Sequence, residues 1–111
     1  MDPLFGDHIR HALHPERPDR VEAVALRLRE SGVLTNPLSA RDASDAEIER
    51  VHVAEYLELV RRETAAAEEL RYLSTGDTLV GAASFRVARR AAGGAVAAVE
   101  AAVAGGEPVF A

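Results

Sequence analysis

The chain has 111 residues, a formal net charge of −5 and no cysteine. That length holds one small domain, the missing thiols exclude a disulfide framework and a Cys-based zinc site, and the acidic balance argues against nucleic-acid binding by the whole chain. Hydrophobic residues make up 48% of the sequence, but they are mostly Ala and Val, with three Phe, two Tyr and no Trp, so each contributes little burial and a marginal core is expected for the isolated chain.

Residues 1–18 read as a loop, with Pro3, Gly6, Pro15 and Pro18 and no regular apolar period. This stretch lacks a basic leader followed by an apolar run, so no signal peptide is expected; with no thiols, a cytoplasmic setting is the working expectation. Pro18-Asp19 opens a helix, with proline in the first turn and an acid near the positive end of the dipole. Val21, Val24, Ala25 and Leu28 form its apolar stripe, and Ser31-Gly32 supplies a stop. A connector over 34–43 contains Asn36-Pro37. Ser44-Asp45-Ala46-Glu47 then has the spacing of a capping box, which predicts a short helix ending near Val51-His52.

The next helix is predicted over about 54–70, with Tyr56, Leu57, Val60 and Thr64 inward and Arg61, Arg62, Glu63, Glu68 and Glu69 in solvent. Residues 71–82 read as a second long loop containing Ser74-Thr75-Gly76-Asp77-Thr78. An Ala-rich helix over about 83–104 follows, with Phe85, Ala88, Ala92, Val96, Val99 and Val103 as its apolar positions. Gly93-Gly94 falls inside it, where each Gly costs about 1 kcal/mol relative to Ala, so another backbone is expected to approach closely there. Gly105-Gly106 ends the helix, and residues 107–111 read as the start of a buried strand. The apolar run over 91–106 is interrupted by Glu100 and is too weakly hydrophobic to span a bilayer, so no membrane partner is expected.

Taken singly, the candidate chemical groups are ambiguous. His8, His11 and His14 recur every third residue, as in a metal cluster, but the loop context and Pro15 favour exposed loop histidines. His52 and Tyr56 lie one helical turn apart, a spacing that fits a packed, hydrogen-bonded pair better than a catalytic one. Asp77 alone is turn chemistry, Arg20 alone a surface charge, and the acids from Asp42 to Glu49 a solvated helix start. Gly93-Gly94 lacks the strand-glycine-helix context of a phosphate loop.

In combination, these landmarks resemble the N-terminal third of the zinc-dependent histone deacetylase superfamily, which includes acetoin-utilisation proteins and acetylpolyamine amidohydrolases. The resemblance rests on His14-Pro15-Glu16-Arg17-Pro18-Asp19-Arg20, His52-Val53-Ala54-Glu55-Tyr56, Gly76-Asp77-Thr78, the stretch from Phe85 to Gly94, and Pro108-Val109-Phe110-Ala111, in family order. It implies that the complete domain is a three-layer α/β/α fold with a central parallel sheet, as in arginase and the deacetylases. Residues 1–111 would then be a mainly α-helical, incomplete front part of that single domain. A short strand that the family usually places before the first Asp-Pro is missing here.

The resemblance further implies roles for particular residues. Arg20 matches the arginine at the foot of the acyl-lysine tunnel beside the acetate-release cavity, where a guanidinium can hold acetate through two parallel hydrogen bonds. Asp77 matches the rim aspartate that accepts hydrogen bonds from the substrate backbone. His14, Pro15, Glu16, Pro18, His52 and Tyr56 belong to family motifs with a structural role. The zinc ligands, the paired histidines and the carbonyl-polarising tyrosine have no matches before Ala111. No catalytic or metal-binding residue is therefore expected within the chain, and zinc only in the complete enzyme. The expected reaction of that enzyme is hydrolysis of an N-acetyl amide on a lysine, polyamine or similar amine. The missing C-terminal part of the domain is the expected partner, and Ala- and Arg-rich usage hints at a bacterial source. The alternative is a free-standing, non-catalytic helical interaction module.

Overall fold

The computed structural model of the chain describes residues 2–9, 18–33, 37–106 and 109. A 3-10 helix over Pro3–Asp7 comes first, then α1 (Pro18–Glu30), α2 (Asp45–Ile48), α3 (Ala54–Ala65), the two-residue strands β1 (Arg71–Tyr72) and β2 (Leu79–Val80), and α4 (Ser84–Gly105). The strands pair antiparallel, Arg71 opposite Val80 and Tyr72 opposite Leu79. The described part is thus mainly helical with one small hairpin.

Two segments read as loops carry regular structure. Asp2 caps the 3-10 helix by accepting a 3.0 Å hydrogen bond from the Leu4 amide, and Leu4 is buried. Residues 71–82 close into the β1–β2 hairpin, with Val80 buried at its base and Leu73 buried beside its loop. The helix expected over 54–70 stops at Ala65, which leaves Ala67 buried and Glu68 and Glu69 exposed beyond its end.

The expected helix punctuation is present. Ser44 and Glu47 form a reciprocal capping box at α2: the Ser44 hydroxyl accepts from the Glu47 amide and the Glu47 carboxylate accepts from the Ser44 amide at 2.8 Å. Arg41 adds a two-pronged bond to the same carboxylate, at 2.6 and 2.9 Å. Gly32 follows α1 at φ 71° and Gly106 ends α4 at φ 67°, both left-handed positions suited to glycine.

The close approach expected at Gly93-Gly94 occurs at the first of the pair. The connector from Ala40 to Ala43 crosses α4 there, and a Cβ on Gly93 would lie 2.0 Å from the Arg41 carbonyl oxygen and 2.6 Å from the Ala43 nitrogen. Arg89, one helical turn earlier on the same face, grips the strand of chain that crosses. Its carbonyl accepts from the Ala43 amide at 2.9 Å, and its guanidinium donates to the Ala43 carbonyl at 3.0 and 2.7 Å. Ala43 is completely buried, yet both its backbone groups are satisfied.

The buried positions of α4 differ from the expected stripe and lie on both sides of it: Gly93 under the crossing connector, and Ser84, Val87 and Ala98 on the opposite side of the helix. Val99 and Val103 are 63% and 82% exposed. On α1, Val21 and Val24 are likewise exposed, and Ala25 and Leu28 half-buried. The core is correspondingly thin, and its bulkiest fully enclosed side chain among the described residues is Thr64. That hydroxyl donates to the Val60 carbonyl at 2.8 Å within α3.

Substitution of the two adjacent glycines should therefore have opposite effects. Gly93→Ala must push the connector off α4 and is expected to destabilise by roughly 1–3 kcal/mol. At Gly94 a Cβ would meet only the Ala40 Cβ, at 3.7 Å, so Gly94→Ala should stabilise by about 1 kcal/mol through helix propensity. Thermal melts followed by circular dichroism would read both. The capping box predicts a pH dependence as well. Hydrogen bonds from Arg41 and Ser44 hold the Glu47 carboxyl at about 2, below its usual 4.5. Its contribution is complete above pH 4.5 and is lost as pH falls towards and through 2, and Glu47→Gln should flatten that part of the acid melt.

Candidate functional site

The hairpin tip carries Asp77, one of the residues singled out in the sequence. Leu73 donates its amide to the Thr78 carbonyl at 3.0 Å and accepts from the Gly76 amide at 3.2 Å, which closes a tight loop over Ser74–Asp77. Asp77 is exposed on that loop. Val80 is buried at the base of the hairpin and Leu73 where the ladder meets the loop, while Glu63 in the last turn of α3 holds the tip. Its carboxylate accepts the Ser74 amide at 2.9 Å and, on the other oxygen, the Ser74 hydroxyl. The Ser74 hydroxyl and then the Ser74 amide are the main causes that draw the Glu63 carboxyl below its usual range.

By its helical position alone, Glu63 belongs with the solvated charges of α3. Its partner lies eleven positions on, beyond any helical or turn spacing, so no local pattern reports the contact. The same applies to His8, expected as an exposed loop histidine. Its Nδ1 is hydrogen-bonded to the Ser84 hydroxyl at 2.9 Å across 76 positions, and Ser84 is buried at the start of α4. Ser84 Oγ also accepts the Gly81 amide at 2.9 Å, so one hydroxyl joins the N-terminal segment, the end of the hairpin and α4.

His52 and Tyr56 do pack together, with ring centroids 5.3 Å apart and planes tilted by 33°. His52 is exposed and Tyr56 half-buried, a contact that braces the entry to α3. Arg20 is exposed in the first turn of α1. Nothing brings Arg20, Asp77 and His52 into one cluster among the described residues. His11, His14, Pro15 and Glu16 lie outside the described residues, as do residues 107, 108, 110 and 111 of the expected strand; Pro18 opens α1.

Several arginines brace the scaffold. Arg61 bridges Asp45 at 2.7 Å and Glu58 at 2.9 Å, and Arg90 reaches Asp42 at 2.5 Å and Asp2 at 2.8 Å. The guanidinium groups of Arg61 and Arg89 lie 5.2 and 5.9 Å from the Phe85 ring centre. Among the described residues no three or more His, Cys, Asp or Glu side chains are grouped to hold a metal ion, and no helix is long and apolar enough to cross a membrane.

Comparison with known proteins adds three findings. A model of the histone deacetylase domain matches residues 14–111. Histone deacetylase 15 of Arabidopsis thaliana is 37% identical over 83 residues, and the polyamine deacetylase HDAC10 of Homo sapiens is 39% identical over 95 residues. The matches cover 72% and 81% of this chain but 14% of each relative. The crystal structure of the HDA15 HD domain superposes with a TM-score of 0.80 at 30% identity, over 96% of this chain and 31% of that one.

Ser84 offers a test of the joint beside the hairpin. Ser84→Ala removes the acceptor of the Gly81 amide and the partner of His8 in a buried setting. It is expected to cost about 1–2 kcal/mol, with faster amide exchange at Gly81 as the local signature.

Proposed function

This chain belongs to the histone deacetylase domain family, and on that premise we propose that it is the N-terminal part of a zinc-dependent deacetylase that hydrolyses N-acetyl amides of lysine, polyamine or similar amines. The observation that carries the reading is the pairing of a family match over 14–111 with a fold that superposes on 31% of a deacetylase domain. The chain spans about one seventh of the curated relatives it matches, so the activity is assigned to the longer protein. Of these relatives, one is called a histone deacetylase and the other a polyamine deacetylase, and both substrate classes stay within the proposal.

In that enzyme, zinc supplies a water of lowered pKa and a polarised acyl carbonyl. The part we assign to this chain in that enzyme is to bind and orient. Asp77 at the exposed hairpin tip accepts hydrogen bonds from the backbone of the acylated substrate, which lowers the entropy cost of the reactive pose. Arg20, exposed on α1, is enclosed once the remaining domain is present and holds released acetate by paired hydrogen bonds. The exposed valines of α1 and α4 favour the same reading, because they give the rest of the domain an apolar surface to cover.

The residues 1–111 alone should hydrolyse neither acetyl-lysine peptides nor acetylpolyamines, and should retain no stoichiometric zinc after dialysis. One tightly held zinc per chain, measured by metal analysis, would overturn this. The coding sequence past codon 111 tests the rest. A frame continuing into paired histidines, an Asp-x-His and a later Asp is the expected outcome, whereas a stop codon in an intact gene would sink the assignment.

A further inference from the structure

We infer that Glu63 is the positioning residue for the substrate-contacting loop: from α3 it sets the pose of the hairpin tip that carries Asp77. The inference rests on the rim role proposed for Asp77, and it concerns a residue that never touches substrate.

The loop over Ser74–Asp77 has little to hold it from within. Its strands are two residues long, and an isolated two-stranded hairpin is marginal in water. Ser74, Thr75, Gly76 and Asp77 are all exposed, so apolar burial ends at Leu73. The backbone bonds from Leu73 to Thr78 and from Gly76 to Leu73 close the loop but do not tie it to another element. Glu63 provides that tie: both carboxylate oxygens are used, one on the Ser74 amide and the other on its hydroxyl. Two bonds to one residue fix direction as well as distance, and an ionised acceptor makes them stronger than neutral bonds.

Glu63 is itself well placed to orient the loop. Its neighbour Thr64 is buried, and that hydroxyl is bonded back into α3, so the last turn of the helix is a fixed platform. The nearby Arg71 and Arg62 favour the ionised carboxylate. The hairpin tip is thereby referenced to α3, which packs on α4, and not only to its own strands.

Amide exchange on the 111-residue chain tests the clamp directly. In the unsubstituted chain, Ser74 amide protection should be constant near neutral pH and fall as Glu63 protonates below the usual carboxylate range. In Glu63→Ala, Ser74 protection should drop at least about tenfold, the loss of an amide bond to an ionised acceptor, and the pH step should vanish. Protection at Thr64, within α3, should be unchanged. Unchanged Ser74 protection in Glu63→Ala overturns the inference, as does an equal loss at Thr64, which would mean general unfolding.

Steady-state kinetics of the longer deacetylase separates this inference from the reading beneath it. Asp77→Ala and Glu63→Ala should each raise KM for an acetyl-lysine peptide about tenfold with little change in kcat, and Glu63→Asp should recover part of the loss. If Asp77→Ala raises KM and Glu63→Ala does not, the positioning role fails while the rim role stands. If Asp77→Ala leaves KM unchanged, the rim role fails, and a loop held by Glu63 has no substrate to position.

Discussion

The described structure depends on one crossing of backbone over helix. The connector from Ala40 to Ala43 can lie against α4 only because residue 93 has no side chain, and it stays there because Arg89 satisfies both backbone groups of the buried Ala43. Without that exchange, a polar backbone would be buried without partners, at a cost comparable to the lost hydrogen bonds. With it, the connector becomes a fixed strap from which neighbouring parts are hung. Arg41 leaves the strap to reinforce the cap of α2, and Asp42 binds Arg90, which also holds Asp2 at the N-terminal end.

Polar bonds carry much of the organisation because apolar burial is scarce. The buried hydrophobic set contains Ala43, Ala67 and Ala98 beside a few larger residues, and alanine contributes little area. Exposed ion pairs are individually weak, but here they recur at the same junctions: Asp45 meets arginines from both α3 and α4. The apolar surface that would normally stabilise such helices is present on α1 and on the C-terminal half of α4, and it faces outward. The sequence is therefore better supplied with hydrophobic residues than the described interior suggests.

What could be read from the sequence follows the range of the interaction responsible. The capping box at Ser44, the proline start of α1 and the glycine stops depend on residues a few positions apart, and their spacing is visible directly. The close approach at Gly93 was legible because two glycines inside a helix demand a reason. The partner was not, since nothing in Arg41-Asp42-Ala43 announces contact with a residue 50 positions on. The buried positions of α4 differ for a related reason: the valine period suggests one face, whereas tertiary neighbours enclose Gly93 on one side of it and Ser84, Val87 and Ala98 on the other. At the candidate site, the turn that carries Asp77 is legible in its residues, and the His52–Tyr56 contact in helical spacing. Glu63 reads as a solvated charge and His8 as an exposed loop histidine because their partners, Ser74 and Ser84, are fixed by tertiary structure alone.

The strap also imposes an order on synthesis. Arg89 follows Ala43 by 46 positions, a gap that a ribosome covers in roughly 2 to 9 s at about 5–20 residues per second. Throughout that interval the capped turn at α2 can form from its own residues, but the strap has no helix to cross. Seating it must wait for α4, a non-local closure of the kind that slows folding. A nascent chain of this protein therefore spends seconds with its most demanding backbone segment still hydrated, and the ordering of its N-terminal half is timed by the emergence of Arg89 and a single glycine, Gly93.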